Sequence, residues 1–358
     1  MTGNCTDENF VSWFEFWLEK VLTPTFGSMG IFGNCMAIHR LKNPTLKTTF
    51  NQSLVCLAIC DILFLVMMIF DQFVDQENMY YILMFPYFWN PFKNILMSLQ
   101  TFLLMSIAIE RFLAVWMPIV YKTKKPSYSG TFHFLLYILP SIALATLVNI
   151  PKFLETELVT LTVTDADNTT REVIEYEVTN LRLNENYIFY YTFWTRLLIT
   201  GAIPFTFLTT MNCLIFLTIK KDIPDYSTFR GKSNVSTTSL ELQNLSQKEG
   251  DAEEEGRKIP KVNFPSKKSL TLFYIDLIFL ICHLPRILLN VYEGKYDVDD
   301  PESSPWCTYW INILMSVSIF FLTFNSSVNC LIYYLVWKTF NSVIIRMDTS
   351  RHHSVTIA

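Results

Sequence analysis

Charged residues are scarce in this sequence. Asp, Glu, Lys and Arg make up 17% of its 358 residues, against about 25% in soluble domains, and the deficit argues against a pair of ordinary soluble domains. Histidine is rarer still: His39, His133, His283, His352 and His353 are scattered, with none of the His-x-x-x-His spacing of a metal box. No nucleophile recurs with a base on one helix face, so no enzyme, resident metal site or nucleic-acid partner is expected. Internal repeats are missing, which speaks against a transporter built from two related halves. No basic n-region, apolar h-region and cleavage site precede the first apolar block, and no removable signal peptide is expected. Cysteine is absent from Lys152 to Tyr190, so no disulfide can anchor that stretch.

What the chain has in excess is apolar surface, 51% of its residues with 30 phenylalanines among them, gathered in long blocks. A spanning helix needs about 20 mostly apolar residues. Seven blocks meet that length: residues 21–38, 48–70, 79–109, 126–151, 197–219, 269–292 and 303–337, interrupted by Asp61, Lys93, Asp276 and Arg286. Buried helices of a soluble bundle would carry a polar stripe every three to four residues, and these do not. The expected fold is therefore an all-α membrane protein, a seven-transmembrane helix bundle over residues 21–337.

Basic residues collect after the first block (Arg40, Lys42, Lys47) and after the third (Arg111, Lys122, Lys124, Lys125), and such loops stay cytoplasmic. The N-terminus, 1–20, is then extracellular and the tail, 338–358, cytoplasmic. On the outer side stand the glycosylation acceptors Asn4 and Asn168, and Cys5 and Cys307, the two thiols there, are expected to pair. Residues 157–163 and 172–178 alternate apolar and polar side chains around Asp165-Ala166-Asp167-Asn168, the pattern of a β-hairpin in the second extracellular loop, although a solvated loop would read similarly. Residues 220–268, rich in Ser and Thr with an acidic run at Glu253, Glu254 and Glu255, are expected to be a disordered third intracellular loop, a phosphorylation target or a plain solvated linker.

Polar groups in hydrocarbon are expensive, so each needs a partner or a purpose. Asn34 follows Gly33 in the first block; Asp61 closes Leu57-Ala58-Ile59-Cys60-Asp61; Glu110-Arg111-Phe112 ends the third; Asn325, Asn329 and Tyr333 stand in the seventh. Taken in order from the first span to Phe340, this set resembles the signature of rhodopsin-like G-protein-coupled receptors. The resemblance implies a multi-pass plasma-membrane receptor whose partners are a heterotrimeric G protein and arrestin. It implies that Asn34, Asp61 and Asn329 form a water-filled polar cluster able to hold a sodium ion, the sole non-protein component expected, with Asn325 either joining it or gluing helices. It also implies an inactive Glu110–Arg111 ion pair whose release opens a G-protein docking surface, with Pro285, Asn329 and Tyr333 taking part in the change. Departures from the family pattern are Phe112 for Tyr, Cys330 for Pro, His283 for Trp, and Pro86 where the third helix normally carries its disulfide cysteine. Trp337, Lys338, Phe340, Val343 and Ile344 suit a short amphipathic helix after the last span.

Cys282-His283-Leu284-Pro285-Arg286, Asn149-Ile150-Pro151-Lys152-Phe153 and Asn325-Ser326-Ser327-Val328-Asn329 narrow the resemblance to invertebrate receptors for FMRFamide and myosuppressin-type peptides. Lys93 occupies the position of the amine-binding Asp, which disfavours amine ligands. Candidate ligand contacts are Asp71, Asp75, Lys93, Glu155, Arg196, His283, Arg286 and Asn290. Acidic residues dominate the segments assigned outside, Glu15, Glu19, Asp75, Glu77 and Glu157 among them, a field that steers cationic ligands inward. An amidated Arg-Phe peptide fits it, its guanidinium meeting Asp71 or Glu155; internal pairing of Arg286 with Glu155 or Asp71 is the competing arrangement. The runner-up ligand is an anionic lipid, greeted by Lys93, Arg196 and Arg286.

Overall fold

The structure, a computed structural model, describes residues 8–42, 49–75, 77–117, 130–164, 170–221, 267–293 and 310–330. Asn4, Cys5, Asn168, Cys307, Tyr333, nearly all of the 220–268 loop and the proposed amphipathic helix lie outside them. Among the described residues the chain forms seven long helices and two strands: α1 (8–41), α2 (Thr49–Phe73), α3 (79–116), α4 (130–153), β1 (Thr156–Thr164), β2 (Thr170–Val178), α5 (185–221), α6 (Lys267–Glu293) and α7 (Trp310–Cys330). Six of the helices are long and apolar enough to cross a membrane, and α6 adds the apolar stretch Leu277–Val291. The two strands pair antiparallel, Thr156 opposite Val178 through Thr164 opposite Thr170.

Two helices start well before their apolar blocks. α1 begins at Glu8 instead of residue 21, and α5 at Glu185 instead of residue 197. In both places charged side chains interrupt the hydrophobic run yet stay in the helix because they find partners inside the bundle, as described below. The helices also share a backbone feature. π-Helical turns occupy Phe16–Leu22, Phe85–Trp89, Ile188–Thr195 and Leu197–Ala202. Three of the four lie at a proline: Pro24 follows the first, Pro86 lies within the second and Pro91 follows it, and Pro204 follows the last. Proline has no N–H to give the carbonyl four residues back, and a widened turn passes that carbonyl to a later donor. Each widening rotates the side chains around it, and Glu19, Lys20, Phe85 and Arg196 are all set by such turns.

The bundle is apolar on both sides of its wall. Leu57 and Phe64 of α2, Leu103 and Ile107 of α3, Leu208 of α5 and Phe279 of α6 fill one buried cluster. Phe32, Leu136, Leu147, Leu217 and Ile281 face outward and exposed, as a lipid-facing surface requires. α1 lies close against α7: a Cβ on Gly30 would stand 2.7 Å from the Ser327 Cα, so glycine is the residue that permits the approach. The same contact lets the Asn34 amide donate to the Ser326 carbonyl at 3.0 Å.

Candidate functional site

A cavity of about 410 Å³ opens at the strand end of the bundle. α1 supplies Glu19 and Lys20, α2 Asp71 and Gln72, α3 Asn90 and Lys93, and α6 Arg286, while Tyr176 of β2 closes one side. Lys93 Nζ meets Asp71 Oδ2 at 2.5 Å, and the Trp89 indole donates to Asp71 Oδ1. Both carboxylate oxygens of Asp71 are thus engaged from α3. The base on Asp71 is Lys93 and not Arg286, so of the three bases named for an anionic head group Lys93 already has a carboxylate partner. The Lys20 ammonium donates to the Gln72 carbonyl. Glu19 Oε1 accepts the Ser316 hydroxyl at 2.6 Å; among the described residues no ammonium or guanidinium lies within ion-pair distance of it. Neither residue is free in an extracellular tail.

With no cysteine available, the strands are held over the cavity by packing. Tyr176 stacks on Phe85, centroids 4.4 Å apart and planes 24° from parallel, beside Pro86. The Thr179 amide and hydroxyl donate to the Glu155 and Leu154 carbonyls at 3.0 and 2.7 Å. Burial, with the Asp71 carboxylate nearby, raises the Tyr176 phenol above its usual range, so it stays neutral at every physiological pH. An aromatic pair contributes about 0.5–1.5 kcal/mol. Tyr176→Ala should therefore lower the thermal unfolding midpoint by a few degrees at most while Tyr176→Phe, which keeps the ring, leaves it unchanged, as unfolding of the purified variants would show.

Asp75 and Glu155, two of the candidate ligand contacts, do not line the main cavity. Asp75 is exposed and accepts from the Glu77 amide at 3.1 Å, shaping the turn between α2 and α3. Glu155, 4% exposed, sits at the hub of an α4–α5 network: Lys152 Nζ at 2.6 Å, the Tyr187 hydroxyl at 2.8 Å and Arg182 Nε at 3.8 Å. It does not pair with Arg286. Deeper in the bundle, Arg196, His283, Arg286 and Asn290 come together with Ser98 and Thr101 around a second cavity of about 10 Å³. Arg196 is buried and donates to Asn94 Oδ1 at 3.3 Å, which is how α5 carries a charge through its middle. Arg286 lines both cavities.

Below them lies the polar core. Asp61, fully buried, accepts from Asn329 Nδ2 on one oxygen and from Gln100 Nε2 on the other, each at 2.9 Å. Gln100 also donates to Ser326 Oγ at 2.9 Å. Asn34 is close in the fold but bonds the Gly30 and Ser326 carbonyls instead of Asp61, and Asn325 is buried in α7 without a described bond to the carboxylate. Gln100 and Ser326 were missed from sequence. At the far end, Arg111 Nε lies 3.6 Å from Glu110 Oε2, and its guanidinium covers the Phe50 ring at 3.0 Å from the centroid.

Residues 33–333, from α1 through the residues beyond α7, match the family model described as the 7 transmembrane receptor (rhodopsin family). The chain belongs to that family. It is a multi-pass plasma-membrane receptor. An FMRFamide receptor of Drosophila melanogaster is 26% identical to it in an alignment covering 95% of this chain and 55% of that protein; the receptor described here spans about half the length of this relative. Pro285, inside α6, does not end that helix, which runs unbroken from Lys267 to Glu293.

Proposed function

We propose that this receptor binds the amidated end of an extracellular Arg-Phe peptide of the FMRFamide type and activates a heterotrimeric G protein, its N-terminus outside the cell and its basic loops within. The likeness to an FMRFamide receptor supports the ligand class. The observation that carries the reading is the distribution of charge in the main cavity: Asp71 is already matched by Lys93, whereas the Glu19 carboxylate is met there by a neutral hydroxyl. A ligand guanidinium takes the acid that is least engaged, and a volume of about 410 Å³ suits the end of a peptide, aromatic ring included. Phe64, Tyr81, Phe85 and Tyr176 line the space available to that ring.

A hydrogen bond to a charged group is worth about 1.5–3 kcal/mol. Glu19→Gln should therefore raise the half-maximal concentration of an Arg-Phe-amide agonist by roughly 10–100-fold with surface expression preserved, and should cost much less against an analogue carrying citrulline for arginine. Equal losses against both peptides would remove Glu19 from the ligand contact. Asp71→Asn, in contrast, should reduce expression as well as potency, because it strands Lys93.

A further inference from the structure

The Asp61 carboxylate is already engaged by this chain's own amides. A sodium ion is a hard cation that takes oxygen ligands, and at Asp61 both carboxylate oxygens are capped by N–H donors, Gln100 Nε2 on Oδ1 and Asn329 Nδ2 on Oδ2, each at 2.9 Å. The Gln100 carboxamide lies between Asp61 of α2 and Ser326 of α7, donating to both. It is 3% exposed, and Ser326 and Asp61 are fully buried. An –NH₂ group with its two hydrogens on two oxygens does for this layer what a bound cation would do: it places positive charge density between a carboxylate and a hydroxyl and ties three helices together. Turning the amide over would set Oε1 against the Asp61 carboxylate, which only accepts, and would cost the buried layer that hydrogen bond. The Asn34 amide nitrogen is committed to the Gly30 and Ser326 carbonyls and does not donate to Asp61, while its Oδ1 is buried with no hydrogen-bond partner among the described residues.

We propose that the Gln100 side chain occupies the cation position of the polar core, so that this receptor closes the α2–α3–α7 layer with its own amide and is insensitive to sodium. The sequence-based expectation of a sodium ion at Asn34, Asp61 and Asn329 is replaced by this reading.

Sodium itself is the probe, and no peptide is needed, so the outcome is independent of the proposed ligand. The purified full chain in detergent is unfolded thermally in NaCl, KCl and choline chloride at constant ionic strength. The wild-type midpoint should be the same in all three salts. A midpoint that rises saturably with sodium alone, by about 2 °C or more, would overturn the proposal. Gln100→Ser shortens the side chain and leaves a hydroxyl oxygen facing Asp61; it should acquire that saturable sodium-specific rise, and Gln100→Ala serves in its place where the serine variant does not fold. A folded variant as indifferent to sodium as the wild type would show that the amide is not what excludes the ion, and the wild-type salt series decides the matter even where neither variant can be purified.

Discussion

Glu155→Ala should be among the most damaging single substitutions in this receptor, reducing surface expression severely and lowering the unfolding midpoint of whatever protein is recovered by roughly 10 °C. The reason is the company the carboxylate keeps. Lys152 is 5% exposed, 2.6 Å from Glu155, and Arg196 is buried close by. Removing one member of a buried pair leaves the other charge uncompensated, at about 3–5 kcal/mol. The hydroxyl of Tyr187 loses its acceptor at the same time. Because the penalty comes from the stranded ammonium and not from the loss of attraction as such, the double variant Glu155→Gln, Lys152→Met should recover more than half of the deficit. Thermal unfolding of the purified single and double variants measures both effects. A single variant within about 1 °C of wild type would mean that Lys152 reaches solvent and that the network has little structural weight.

This hub shows what could and could not be read in the sequence. Lys152 and Glu155 are three residues apart, the spacing that places two side chains on one helical face, and the pairing was available without any structure. The sequence equally allows Arg286 as the partner of Glu155, and the packing of α4 against α5 decides for Lys152. The Asp71–Lys93 pair is different in kind: 22 residues separate the partners, and nothing local says which turn of α2 meets which turn of α3. The apolar blocks gave the number of helices and their order because hydrocarbon imposes a length and a composition on each. They misplaced the starts of α1 and α5 because a search for uncharged runs discards Glu19, Lys20 and Arg196, residues the bundle satisfies internally.

The polar core divides in the same way. Asp61 and Asn329 stood out as a carboxylate and an amide in apolar surroundings, and the structure joins them at 2.9 Å. Gln100 lies in an apolar block as conspicuous as theirs, but it carries no charge to mark it out. An amide in hydrocarbon owes as many hydrogen bonds as a carboxylate, and counting it would have predicted a third partner for the layer. The π-helical turns had a signal too, since Pro24, Pro86, Pro91 and Pro204 mark three of the four. What proline alone cannot give is the direction in which the widened turn aims its side chains, and that direction puts Glu19 in the cavity.

The second large effect belongs to the other end of the bundle. Arg111→Ala should abolish agonist-driven nucleotide exchange on the G protein, while Glu110→Gln should raise exchange without agonist several-fold over wild type at equal surface density. The geometry explains the opposite signs. Glu110 is 2% exposed and holds the arginine from its own helix at 3.6 Å, wider than a hydrogen bond, so this hold is loose. The guanidinium also lies over the Phe50 ring of α2, and such a contact contributes about 0.5–1 kcal/mol where water reaches it. Together they bias the arginine toward the bundle by an amount small enough for ligand binding to reverse. Neutralising Glu110 removes the larger share of that bias and leaves the cation intact, hence activity rises. Phe50→Leu removes the smaller share, so its basal exchange should fall between wild type and Glu110→Gln. Basal exchange measured for the three proteins in one membrane preparation orders them directly, and a Phe50→Leu value above that of Glu110→Gln would shift the principal restraint from the carboxylate to the ring.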